Sequence, residues 1–195
     1  AESAPSAVLE EAPGPVANET IAMLLSSRPT SRLSVDRAPL FESSRLALLH
    51  AAIAVAESSA MVARRLNVPG LEAAAYSSGL LADMAKPVLA GAAAGAGITS
   101  VVGSRESERE LMGADHARVG GWVLRRWNLP EGLAAAVESH HSASPPDPPL
   151  ARCVWLGNLI VEARCGDDVA LEAARIGVEA CELGVSTLED LLAGS

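Results

Sequence analysis

Residues 110–141, ELMGADHARVGGWVLRRWNLPEGLAAAVESHH, read as two helices joined by a tight turn, each carrying histidine on an otherwise apolar side. His116, Val119, Gly120, Val123 and Trp127 recur at helical steps of three and four and share one face. Leu133, Ala136, Val137 and His140 share another, with His141 beside it. The glycines at 120 and 121 leave room for a close helix crossing. The turn at Asn128 makes the two helices neighbours, so His116 and His140 are expected to face inward near one another. Imidazole is a common metal ligand. Such an arrangement either holds a metal or is what remains of a fold that once held one. A lone inward histidine is more often a satisfied core residue.

The remainder of the 195 residues has the same helical character. Alanine, which loses least on entering a helix, dominates long windows, aromatic residues make up 3%, and no alternating run of β-branched residues suggests a strand. The expected class is all-α, one helical bundle. A formal net charge of -9 argues against nucleic acid or an anionic membrane as the main partner. The densest basic pairs, Arg64-Arg65 and Arg125-Arg126, read as solvated helix faces. Cys153, Cys165 and Cys181 are odd in number with no CxxC spacing, which favours a reducing cytoplasm and no disulfide framework. No apolar run is expected to reach the roughly 18 residues of a membrane span, and no signal peptide is evident.

Along the chain, residues 1–15 read as a poorly ordered segment, either a linker or the cut end of a longer protein, and residues 16–195 as the helical domain. A short helix is expected over 18–27 and a loop over 28–39. The first long helix spans 41–66, with Leu46, Leu49, Ile53, Ala56, Ala60 and Ala63 as its inward stripe. A second covers 71–89, ended or kinked by Pro87. Residues 91–103 read as irregular. A third helix covers 106–127, interrupted near Gly113. Asn128 and Glu131 have the form of a capping box for a helix reaching His141. After a proline-rich loop come helices over 150–164 and 168–183, then a last one opened by a box at Ser186 and Glu189.

Taken together, Glu110, Gly113, Asp115-His116, Gly120, Trp127, Pro130 and His140-His141 resemble the signature of HDOD domains, bacterial signalling modules related to the HD and HD-GYP metal-dependent phosphohydrolases. Residues 79–86, GLLADMAK, are similar to the family's segment carrying the His-Asp pair. Residues 48–66 and 154–161 are similar to its first and last site helices. The resemblance covers about residues 41–195, with an HD-like core at about 41–166. It implies that an active site would need a first histidine, where Ala51 stands beside His50. It would also need a His-Asp pair, where the chain has Ala82-Asp83, and a late aspartate, where it has Asn158. Adjacent helical residues differ by about 100° in direction, so His50 is not expected to serve.

Asp83, His116, His140 and His141 are then vestigial positions, and no metal or cofactor is expected. In purely structural roles, Asp83 would be a carboxylate hydrogen-bonded to a neighbouring helix or a histidine, His116 and His140 a buried polar network that fixes helix packing, and His141 would simply end its helix. Trp127 and Pro130 are expected to close the turn, and Asp115 to cap or kink its helix near Gly113. The resemblance implies a non-catalytic regulatory domain of bacterial signal transduction that binds a signalling protein, with Trp122, Arg125 and Arg126 as candidate surface contacts. The alternatives are a diverged phosphohydrolase and a nucleotide or small-molecule sensor. Family members usually carry a helical bundle ahead of the HD-like part. Residues 1–39 are too short for one, which suggests a fragment or a reduced member.

Overall fold

The computed structural model describes residues 45–95 and 104–194, and all regular structure among them is helical. The expected helix at 18–27, the loop at 28–39 and the N-terminal segment lie outside the described residues. In chain order the helices are α1 (Arg45–Leu66), α2 (Leu71–Leu81), α3 (Lys86–Gly95), α4 (Arg105–Met112), α5 (His116–Arg126), α6 (Glu131–Ser139), α7 (Pro149–Arg164), α8 (Asp168–Ala180) and α9 (Val185–Ala193).

The bundle is built around α7, which buries Ala151, Cys153, Val154, Trp155, Leu156, Gly157, Asn158 and Ile160. So many buried positions on a 16-residue helix leave little outward face, and α1, α2, α6, α8 and α9 all pack against it. A fully packed helix of this kind shows little of the one-sided patterning that marks a surface helix. The α1 crossing is close. A Cβ at Gly157 would lie 2.7 Å from the backbone nitrogen of Ser59, so only glycine lets these two backbones approach. Ala56, Ala60 and Ala63 of the expected stripe are buried, but Leu49 is exposed. The inward side of α1 therefore begins further along than the stripe suggests. Against expectation, α1 is long and apolar enough over Ala47–Leu66 to cross a membrane by length and composition; in this fold it packs against α2 and α7.

Several boundaries depart from the sequence reading for local reasons. The region expected to be one helix over 71–89 is two, because the chain turns at 82–85, where the Met84 amide donates to Leu81 O and the Lys86 amide to Asp83 O. Pro87 does not end a helix. It lies in the first turn of α3, where a missing N–H costs nothing. The alanine-rich segment expected to be irregular is helical as far as Gly95. Gly113 breaks α4 from α5 as expected, at φ 78°.

Neither later capping box forms. Asn128 adopts φ 61°, and the Leu129 amide donates to Leu124 O, so this residue closes α5 from behind instead of opening α6. The N-cap of α6 is Pro130, with no side-chain cap. Ser186 is the second residue of α9, which starts at Val185 behind Gly184. The helix expected to run to 183 stops at Ala180, followed by Glu182 at φ 57°.

Candidate functional site

Two helix ends and one turn bring four side chains to a point. Asp83 sits in the turn between α2 and α3, His116 is the first residue of α5, and His140 and His141 close α6. Their candidate ligand atoms all lie within 4.8 Å of one another. The α5–α6 crossing that sets this up is tight. A Cβ at Gly120 would stand 2.9 Å from Val137 Cγ1, so the expected close crossing is present. Asp115 caps α5 by accepting from the Arg118 amide, and this fixes the turn that delivers His116.

Hydrogen bonds on the far side of two rings fix their orientation. His140 Nδ1 lies 2.6 Å from Val137 O. A carbonyl only accepts, so the proton is on Nδ1 and the Nε2 lone pair points into the cluster. Glu108 Oε2 accepts from both the His116 amide and His116 Nδ1, each at 2.7 Å, which turns His116 Nε2 inward in the same way. Asp83 Oδ2 accepts from Lys86 Nζ at 2.8 Å, leaving Oδ1 to face His116 Nε2 at 3.2 Å and His140 Nε2 at 3.7 Å. Neither contact is aligned as a hydrogen bond: Asp83 Oδ1 and His140 Nε2 are both buried with no hydrogen-bond partner. His141 Nε2 completes the group, 3.2 Å from His116 Nε2.

The electrostatics follow from this crowding. Burial pushes the Asp83 carboxyl up, but the close approach of the His116 and His140 rings and the charge of Lys86 outweigh it and hold the group well below its ordinary value of 3.8. Burial pulls His116 down, yet Asp83 and Glu108 on either side raise it above its ordinary 6.5. His141 is driven far down by burial and by the neighbouring His140 and His116.

Behind His141, the Asn158 amide donates to Glu162 Oε1 at 3.0 Å and lies 3.4 Å from His141 Nδ1. Asn158 thus borders the site through its amide. Ala82, buried beside Asp83, offers only a methyl group, and His50 is exposed, as its position on α1 predicts.

His141 does not merely end its helix; it belongs to the cluster. Trp122 is not a surface contact. It is 8% exposed and packs with Val88, Leu89, Met112 and Val119, because α3 and α4 cover that side of α5. Arg125 is engaged within the chain, to Glu131 and Glu138. Trp127 caps the end of α5 and packs into two core groups, and Pro130 opens α6. Glu110 is exposed. The acidic residue that matters to His116 is Glu108, which the sequence reading missed. Its signal was positional: Glu108 lies four residues before buried Met112, on the inward side of α4.

Three imidazole nitrogens and a carboxylate oxygen on this spacing fit one divalent ion. Ligands 2.0–2.1 Å from a tetrahedral zinc lie about 3.3 Å apart; three of the six separations here are 3.2, 3.2 and 3.7 Å, and all lie within 4.8 Å.

No curated protein matches the chain. Among solved structures, the MmoQ response regulator from Methylococcus capsulatus str. Bath has a similar fold, with TM-score 0.56 and 24% identity over 78% of this chain. The match spans 62% of that structure's length. The family model for the HDOD domain matches residues 23–143, more than half of the sequence, and the chain therefore belongs to the HDOD family of signal-transduction regulatory domains.

Proposed function

We propose that this chain is a non-catalytic bacterial signalling domain of the cytoplasm that works by docking a signalling protein. The observation that carries the reading is the depleted donor set. A hydrolytic centre of the HD kind needs metal-bound hydroxide and an exposed coordination position for the phosphate. Here Ala82 supplies no ligand, and the late site position holds Asn158, a neutral amide engaged with Glu162. The four donors that remain are enough to surround one ion and leave none for a second. The MmoQ response regulator, which has a similar fold, is an example of a signalling protein built on such a scaffold.

The test is turnover. Protein supplied with manganese, iron(II) or zinc is assayed against bis(p-nitrophenyl) phosphate and cyclic dinucleotides. The expected rate equals that of the metal alone. Turnover that disappears in His116→Ala would establish the diverged phosphohydrolase instead. Docking is checked by crosslinking the chain to candidate signalling proteins of its host, with the expected product a stoichiometric heterodimer that forms equally well in His116→Ala.

A further inference from the structure

We infer that Asp83, His116, His140 and His141 form a closed site for a single divalent transition-metal ion, with zinc the best match, and that the ion ties helix ends together instead of doing chemistry. The inference goes beyond docking and stands whether or not a partner is found.

The first argument is an imbalance of donors and acceptors. His140 Nε2 is a lone pair because its ring proton is committed to Val137 O. Asp83 Oδ1 is an acceptor, and His116 Nε2 faces both. A proton on His116 Nε2 would link it to Asp83 and still leave His140 Nε2 without a partner, on a side chain that is 0% exposed. A buried acceptor left unpaired is costly. One metal ion engages all of these lone pairs together.

The second argument is the support behind the ligands. His116 is backed by a buried carboxylate and His140 by a backbone carbonyl. Such partners fix the tautomer and direct a histidine at a metal. The far side of His141 is polar, with the Asn158 amide nitrogen 3.4 Å and Glu162 Oε1 3.9 Å from Nδ1, and its Nε2 faces the cluster as the fourth donor. A set of three imidazoles and one carboxylate suits zinc and its neighbours; calcium and magnesium prefer oxygen.

Four protein ligands fill a tetrahedral zinc, which is the arrangement of structural sites; catalytic sites keep a position for water. Access is available, because the Asp83 and His141 side chains retain 15% and 16% exposure while those of His116 and His140 retain 3% and 0%.

The experiment loads the whole chain with zinc, removes excess by desalting and measures metal by elemental analysis. Cobalt(II) substitution reports the coordination by its visible spectrum, and thermal unfolding is followed with and without chelator. The expected result is one equivalent of metal, a four-coordinate cobalt spectrum and a midpoint that drops when metal is stripped. His140→Ala should abolish retention. His141→Gln, at a partly exposed position, should weaken binding at least tenfold while the variant stays folded by circular dichroism. Glu108→Gln, which changes no ligand, should weaken it about 10- to 100-fold. Cys165→Ser and His50→Gln, at exposed sites away from the cluster, should retain the full equivalent. Less than a tenth of an equivalent retained by folded wild-type protein would overturn the proposal. So would metal that persists in His141→Gln or is lost in Cys165→Ser. A six-coordinate cobalt spectrum would overturn the closed, structural character of the site.

Discussion

Glu108 and Glu110 are two residues apart in one helix and have opposite circumstances. Glu108 is 2% exposed and accepts two hydrogen bonds from His116, whereas Glu110 faces solvent. Removing the Glu108 carboxylate leaves two donors without an acceptor in a buried setting. Glu108→Ala is therefore expected to cost about 3 kcal/mol, and Glu110→Ala less than about 0.5 kcal/mol, measured by urea unfolding of metal-free protein. A similar loss in both variants would mean that the carboxylate's partner does not matter. Gly157 is another residue whose identity the fold dictates. A methyl group there would collide with the Ser59 backbone at 2.7 Å. Gly157→Ala should destabilise by about 1–3 kcal/mol as α1 and α7 are pushed apart, seen as a lower urea midpoint.

At the scale of elements, the pair α5 and α6 carries three of the four site residues, and its geometry is braced from outside by Arg125. The guanidinium reaches Glu131 at 2.7 Å and Glu138 at 2.6 Å. It is partly exposed, so the brace contributes under about 1 kcal/mol. The hydrogen bond from Arg125 holds the Glu131 carboxyl below its ordinary value of 4.5. A carboxyl lowered in the folded state stabilises above its unfolded value and loses that contribution as pH falls through the folded one. The difference in stability between wild type and Glu131→Gln should thus be present at neutral pH, shrink as pH falls below 4.5, and vanish in about 1 M salt, where screening reaches about 3 Å. A difference unchanged by salt would point to packing and not charge. The same pair shows why capping motifs misled the sequence reading. Asn128 is fit to open α6, but it also suits the left-handed position that closes α5, and helix closure uses it first.

Over the whole molecule, the buried apolar side chains form separate groups. One gathers Val88, Leu89, Met112, Val119 and Trp122 from α3, α4 and α5. Another gathers Val62, Leu156, Ile160, Val178 and Leu191 from α1, α7, α8 and α9. Asp83 comes just before Ala85 of the first group and just after Ala82 of a smaller group that includes Val154 of α7. The turn that carries Asp83 therefore links the first group to the smaller one. Leu156, fully buried on α7, should cost about 2–5 kcal/mol on replacement by alanine, and the loss should be the same with metal bound or stripped. A loss that depends on metal would show that the second group and the site are energetically coupled.

The sequence by itself determined the all-α class, the inward faces of α5 and α6, the break at Gly113 and the approach of His116 to His140. Each of these follows from helical periodicity or from one residue's backbone preference, which are local properties. It also marked the depleted positions at Ala82 and Asn158. It did not reveal that Glu108 orients His116 or that Trp122 is core. Those depend on which helix covers which face, and α3 and α4 reach α5 only through the turns at 82–85 and 113–115. The convergence of four donor atoms was likewise decided in three dimensions, because it depends on distances of a few ångströms between helix ends far apart in the chain.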